Sequence, residues 1–303
     1  MPNPRQNLMN LRQLTYFRAV IEHGSLAAAS EVLDVAQPNL SVAIRQLETA
    51  WGVALFDRVG RGLVPTDAGR LLHKQASRLL GDAAALEQEM RAIGQGSSAR
   101  IRIGFTAVSM EPITAMVAQM RQEGSDITFS LQQGEPQLLE TMVEMRQLDF
   151  AVTHLPVANP SLHVRLLAPL KLVLVTRMDD ARWAGDGDVE LKSLSGVPLV
   201  LLRRSSGIGI YDRLTEAFIR ANLRYAVAVD CTDLTALYVL IQRNVGVGLL
   251  PTLGASKAPQ GFAARAVLAE SNPERLALIH PRGRRPIPAV QRAIDLCRAY
   301  LSP

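Results

Sequence analysis

With 303 residues, 48% of them apolar, the chain has room for two or three domains that each enclose a full core. A net charge of +5 suits a polyanionic partner, but residues 1–75 are only mildly basic, so charge by itself establishes none. The opening MPNPRQNLMN lacks the apolar core of a secretion signal, and no apolar run is long enough to span a bilayer; the expectation is a cytoplasmic location with no membrane partner.

The first helix is predicted from Leu11, Leu14, Phe17 and Ile21, which recur on one face, and Gly24 can close it in the left-handed conformation. Ser25 is placed to cap a second, alanine-rich helix through Leu26, Ala29 and Leu33, whose small side chains admit a close crossing. Asp34 and Val35 make a turn, and Pro38 opens a third helix, where its missing N–H does no harm. Two short helices joined by a tight turn, from Ser25 to Leu47, have the form of a helix-turn-helix DNA reader. Leu40, Ile44 and Leu47 share the inward face of the third helix; Pro38, Val42, Arg45, Gln46 and Thr49 lie opposite, with Gln37, Asn39 and Ser41 on the flanks. Gln and Asn can pair with adenine edges, Arg with guanine, Ser with a base or a phosphate, and Val42 with a thymine methyl. Taken alone, the pattern also describes an ordinary amphipathic helix with a solvated face.

Short apolar runs at Val53–Phe56 and Leu63–Val64 surround Val59-Gly60-Arg61-Gly62 and read as a two-stranded wing. Glycines beside Arg61 allow a tight turn that projects its guanidinium toward a narrow, electronegative minor groove, and Arg58 is a candidate phosphate contact. Thr66 is placed to cap a long helix reaching Ile93. Its apolar seam of Leu72, Ala76, Leu79, Ala83, Leu86, Met90 and Ile93 alternates spacings of four and three, which suits packing against a second helix, in its own domain or in another chain. Gly94-Gln95-Gly96-Ser97-Ser98 then ends the helix as a hinge-like linker.

Residues 10–69 resemble the N-terminal domain of the LysR-type transcriptional regulators. The resemblance is carried in order by Asn10-Leu11-Arg12-Gln13-Leu14, Gly24-Ser25-Leu26, Ala29-Ser30, Gln37-Pro38, Leu40-Ser41, Leu47-Glu48, Gly52, Leu55-Phe56, Arg58, Gly60-Arg61-Gly62 and Thr66-Asp67-Ala68-Gly69. It implies double-stranded DNA as partner, with Ser25, Gln37, Pro38, Asn39, Ser41, Val42, Arg45, Arg58 and Arg61 as contacts. It also implies that the seam pairs two subunits into a homodimer, with a homotetramer beyond it and RNA polymerase as a further partner, and that residues 1–8 precede the family's usual start. Ala36 departs from the pattern: the family usually has Ser or Thr there, and the missing cap should cost about 1 kcal/mol of local stability.

Beyond the linker, strands predicted at 100–105, 128–131, 150–152, 172–176, 197–202 and 226–229 alternate with helices at 111–122, 137–147, 211–221 and 234–242, the α/β pattern of parallel sheets covered by helices. In such folds ligands sit beyond the carboxyl ends of strands, beside helix N-termini. Thr106 and Ser109 follow the first strand, with Pro112 opening the next helix; Thr153 and His154 end another strand; Arg203-Arg204-Ser205-Ser206-Gly207 leaves a further one; and Thr232 could cap the helix near Asp233. Of these, Thr106, Ser109, Thr153, His154, Arg203, Ser205, Ser206 and Thr232 are the candidate effector residues, and an organic anion is the natural guest. Each also has a plainer reading as a helix cap or a solvated loop group.

This segment resembles the LysR effector domain, a two-lobed fold like the type 2 periplasmic binding proteins, most strongly at Val245-Gly246-Val247-Gly248-Leu249-Leu250-Pro251. Asn244 and Arg146 stand where the family often has glycine. The resemblance implies an all-α winged helix-turn-helix domain at 1–66, a linker helix and hinge at 67–98, and an effector domain at 99–303 with lobes at 99–168 plus 268–303 and at 169–267. A transport-class solute-binding protein shares the second fold, but residues 10–69 and the missing signal peptide argue against it. The five histidines form no HExxH pair, no cysteine pair has metal spacing, and no GxSxG elbow or phosphate loop occurs; neither enzyme, metal nor cofactor is expected. Cys231 and Cys297 read as buried free thiols in a strand and a helix.

Overall fold

The computed structural model describes residues 9–59, 62–95, 100–124, 126–204, 208–252, 259–268, 274–283 and 285–301. The chain divides into two compact units, residues 1–99 with 144–147 and residues 100–143 with 148–303.

The first unit runs α1 (Leu11–His23), α2 (Leu26–Leu33), α3 (Gln37–Trp51), β1 (Phe56–Val59), β2 (Gly62–Pro65) and α4 (Asp67–Gln95). Local chemistry sets these boundaries. At the start of α1 the Asn10 side chain accepts from the Gln13 N–H and the Gln13 side chain from the Asn10 N–H, a reciprocal capping box. Gly24 ends the helix at φ 70°. The Ser25 hydroxyl oxygen accepts the Ala28 N–H at 3.2 Å, and Asp34 turns the chain at φ 52°. Ala36 leaves α3 without a side-chain cap. Phe17, Val20, Ala29, Leu40, Leu47 and Leu55 are buried between the helices, each large side chain contributing about 1.5–3 kcal/mol.

The wing is antiparallel, with Arg58 opposite Leu63, but its first strand opens at Phe56 and not at Val53. The cause is the end of α3: the Glu48 carbonyl accepts the Val53 N–H and the Glu48 carboxylate accepts the Leu55 N–H, so this backbone belongs to the turn. Gly60 and Arg61 lie outside the described residues. Thr66 caps α4 through the Gly69 N–H at 3.0 Å. The seam on α4 is not uniform. Leu72 packs on Phe17, Leu47 and Leu55, and Ala76 is fully buried, whereas Leu79, Leu86 and Met90 are 44%, 56% and 59% exposed. Ala83 is half-buried, and the Ile93 side chain lies outside the described residues.

The second unit holds two sheets. One, ordered β4-β3-β5-β13-β6, comprises β3 (Arg100–Phe105), β4 (Thr128–Gln133), β5 (Phe150–His154), β6 (Leu162–Pro169) and β13 (Arg275–Pro281), with α5 (Met110–Gln122), α6 (Pro136–Glu144) and α9 (Pro288–Leu301). The other, ordered β10-β9-β11-β7-β12-β8, comprises β7 (Lys171–Arg177), β8 (Val189–Glu190), β9 (Pro198–Leu202), β10 (Ala226–Cys231), β11 (Val247–Thr252) and β12 (Phe262–Leu268), with α7 (Ile210–Arg220) and α8 (Leu234–Gln242). The expectation of parallel sheets holds for β3, β4 and β5 and for β9, β10 and β11; β13 runs antiparallel to β5 and β6, and β7 antiparallel to β11 and β12. β7 reaches its sheet from β6 in the other one across the single residue Leu170, without the helical crossover that joins parallel neighbours.

Ile101, Ile103, Phe150 and Val152 bury against Ile113, Met116 and Ile294 in the first lobe, and Leu199, Leu201 and Leu249 against Leu214 and Phe218 in the second. Asn244 and Arg146 both take φ 61°, the left-handed conformation that glycine adopts without steric cost. Gly246 and Gly248 serve packing: a Cβ on the first would lie 2.5 Å from the Pro198 carbonyl oxygen, and on the second 2.7 Å from Ile241.

Candidate functional site

On α3, Gln37, Pro38, Asn39 and Arg45 are exposed, Val42 is 50% exposed and Ser41 is half-buried, while Leu40, Ile44 and Leu47 fill the core. The Arg45 guanidinium donates to the Ser41 hydroxyl at 3.1 Å, one turn back. Ser25 sits at the N-terminus of α2, its hydroxyl oxygen committed to the cap and its O–H still able to donate. The wing is tied to the same corner, because the Leu63 N–H donates to the Gly24 carbonyl at 3.2 Å, and this places Arg58 on β1.

A groove of about 660 Å³ lies between the start of α1 and the outward face of α3, lined by Asn10, Gln13, Val42, Arg45, Gln46 and Trp51 among others. Gln13 joins this face although its sequence position marks it only as a helix-start residue. Its amide donates to the Gln46 side-chain oxygen at 2.9 Å.

The second unit places its cavity where topology demands one. In each sheet the first strand of a βαβαβ run, β3 or β9, sits between the two that follow it, so the connecting helices leave on opposite sides and a crevice opens at its carboxyl end. Thr106 follows β3, and Arg203 and Arg204 follow β9. A cavity of about 340 Å³ spans the two lobes here, with Thr106, His154, Arg203 and Thr232 in its wall. Ser109 and Thr153 are fully buried and do not line it: the Ser109 hydroxyl donates to the Thr106 carbonyl at 2.9 Å, and Thr153 sits in β5 opposite Ala277. Ser205 and Ser206 lie outside the described residues. The cap of α8 is Asp233, accepting the Ala236 N–H at 2.8 Å, which leaves the Thr232 hydroxyl to the cavity.

The decisive group is one that sequence reasoning missed. Glu274 also lines the cavity, its side chain only 4% exposed, 3.4 Å from His154 Nδ1, 3.3 Å from Arg204 Nη2 and 3.7 Å from Arg213 Nε. Burial pushes its carboxyl up, but the close approach of His154, Arg204 and Arg213 outweighs that and holds it below the usual carboxylate range. Arg203 is engaged too, 3.1 Å from Asp230 and 4.8 Å over the Tyr211 ring. The cationic groups at this crevice are therefore balanced by the protein's own carboxylates. Nothing in the sequence around Glu274 distinguishes it from a surface charge; only the fold brings it under Arg204. A second cavity of about 310 Å³, largely apolar, shares Ile210, Pro251 and Glu274 with the first.

The cysteines are poor nucleophiles. Burial pushes the Cys297 thiol up to about 12 and raises that of Cys231 as well. Among the described residues no group of histidine, cysteine and carboxylates could hold a metal ion, and no helix is long and apolar enough to cross a membrane.

Comparison with known proteins matches residues 11–70 to a bacterial regulatory helix-turn-helix protein of the lysR family and residues 94–302 to the LysR substrate binding domain. The nitrogen assimilation regulatory protein nac of Escherichia coli (strain K12) is 31% identical over 80% of this chain and 78% of its own length. The HTH-type transcriptional regulator BsdA of Bacillus subtilis (strain 168) is 28% identical over 80% and 84%. Full-length CbnR complexed with its target DNA shares the fold at a TM-score of 0.68, with 21% identity, covering 96% of this chain and all of the other. A full-length OxyR variant from Pseudomonas aeruginosa does so at 0.69, with 20% identity over 96% and 95%.

Proposed function

This chain belongs to the LysR-type transcriptional regulators and binds DNA as they do, and from that premise we propose that its promoter binding is modulated by a small, carboxylate-bearing effector seated between the lobes of the second unit. The observation that carries the effector reading is the 340 Å³ cavity at the paired strand ends, with Thr106, Arg203, His154 and Thr232 in its wall. Thr106 makes no side-chain cap to the turn that follows it, and Arg203 can exchange Asp230 for a ligand carboxylate. The effector shifts the population between arrangements of the two lobes, and so the presentation of the helix-turn-helix.

On this reading residues 1–66 form the DNA-binding domain, 67–98 the linker helix and 99–303 the effector domain. DNA contacts come from Ser25, Gln37, Pro38, Asn39, Ser41, Val42, Arg45 and Arg58, with Arg61 at the wing tip. Leu79, Leu86 and Met90, open on α4, pair two subunits, and dimers pair again into a tetramer that engages RNA polymerase in the cytoplasm. A thermal-shift screen tests the effector class: small organic acids should raise the melting temperature of wild type and lose that effect in Arg203→Ala. A response confined to cations or sugars would contradict it.

A further inference from the structure

The hydrogen bonds at the start of α1 fix the orientation of two side-chain amides in turn. The Asn10 backbone N–H can only donate, and it meets the Gln13 side chain at 3.0 Å, so the Gln13 atom turned toward it is the oxygen. The other end of that amide is then Nε2, also a donor, and it meets the Gln46 side chain at 2.9 Å, so Gln46 turns its own oxygen inward. The end of the Gln46 amide turned outward is then its NH2 group. Gln46 is exposed, one turn beyond Val42 and next to Arg45, and lines the open groove with both.

We propose that Gln46 is a specificity-determining DNA contact held by Gln13 as a donor, so that it selects acceptor edges in the major groove, guanine O6 and N7 or thymine O4. A glutamine with both ends of its amide free pairs with adenine through one donor and one acceptor; with its oxygen turned toward Gln13, the NH2 end is the one that meets a base. Gln13 is the positioning residue. It touches no base, and it acts by withholding the Gln46 oxygen. This goes beyond the general reading of α3 as the groove helix and rests on it, since a chain that bound DNA through another face would give neither residue a role.

Gln13→Glu tests the pair without dismantling the helix. Glutamate at this position still accepts the Asn10 N–H, completing the capping box, but it offers Gln46 only acceptor oxygens. Gln46 must then turn its NH2 inward and its oxygen outward. The experiment selects bound duplexes from a randomised pool with full-length wild type, Gln46→Ala and Gln13→Glu, and reads base frequencies at each position of the recovered site. Wild type should prefer guanine or thymine at the position that Gln46→Ala flattens, by roughly fivefold or more. Gln13→Glu should reverse the preference at that same position toward cytosine or adenine, whose exocyclic amines donate. The charge that the glutamate adds lowers affinity for all duplexes alike and leaves the ratios readable. An unchanged wild-type preference in Gln13→Glu overturns the proposal. So does a Gln46→Ala protein that binds more weakly with every base preference intact, which is the behaviour of a phosphate contact. Loss of all sequence preference in wild type would instead remove the groove-helix reading itself.

Discussion

The reading face of α3 and the crevice between the lobes carry similar side chains in opposite states. On α3 the polar groups stand exposed, their few internal bonds running to neutral partners, Arg45 to Ser41 and Gln46 to Gln13. In the crevice the polar groups are held by charges of the protein itself, Glu274 beneath His154, Arg204 and Arg213, and Asp230 beside Arg203. A polyanion approaching the first needs only to shed water. On the reading proposed above, a carboxylate entering the second would replace a carboxylate already there, an exchange of partners that would move the parts those partners belong to. On that reading, one surface serves reading and the other switching.

The largest expected effect breaks the reading side alone. Phe17→Ala removes a fully buried ring from the core beneath α3 and should cost about 3–5 kcal/mol, abolishing DNA binding while the melting transition of the second unit is kept. Retained DNA binding at 25 °C would show that α3 does not depend on that core.

Glu274→Gln addresses the switching side. It strips the central carboxylate from three basic groups and should destabilise the second unit by about 2 kcal/mol, while strengthening stabilisation by organic acids because the exchange no longer has to be made. Weaker stabilisation by the same acids would mean that Glu274 organises the site for its ligand and does not compete with it. Ala36→Ser is smaller and acts on α3: the restored cap should add about 1 kcal/mol to the melting of the first unit.

The smallest effect is on pH. Burial holds the His280 imidazole below its usual value, helped by the nearby charges of His163 and Arg165 and opposed by its bond to the Pro281 carbonyl. Its folded pKa is thus depressed, so its contribution to stability is complete above the unfolded value, about 6.5, and declines as pH falls below it. Glu274, also depressed, contributes above the unfolded carboxylate value and is lost at more acid pH still. Urea melts from pH 8 to pH 5 should show the second unit weakening below about pH 6.5, and His280→Asn should flatten that slope.

Most of the first unit is legible in the sequence because its determinants are close along the chain. Gly24, the Ser25 cap, the turn at Asp34 and the inward Leu40, Ile44 and Leu47 are all decided within a helical turn or two of where they act. The wing starts later than its apolar run suggests because a side chain upstream, Glu48, claims the Leu55 N–H. The antiparallel strands escape for the same reason at longer range: β13 pairs with β5 and β6 by contacts that no local pattern announces. The uneven seam on α4 shows periodicity naming the apolar face correctly without saying which half meets its own domain, since Leu72 and Leu86 look alike until Phe17 is placed beside one of them. Thr106, Arg203 and Thr232 are marked by their strand ends, whereas Glu274 has no such marker.

Fluorescence anisotropy of full-length protein with duplexes drawn from the DNA flanking its own gene, at two salt concentrations, tests the reading surface most directly. Wild type should prefer one duplex over scrambled DNA of equal length at both salts, and a protein carrying Gln37→Ala with Arg45→Ala should lose that preference while keeping the salt-sensitive binding common to all duplexes. A double variant that still discriminates between duplexes as wild type does would contradict the assignment of α3 as the reader.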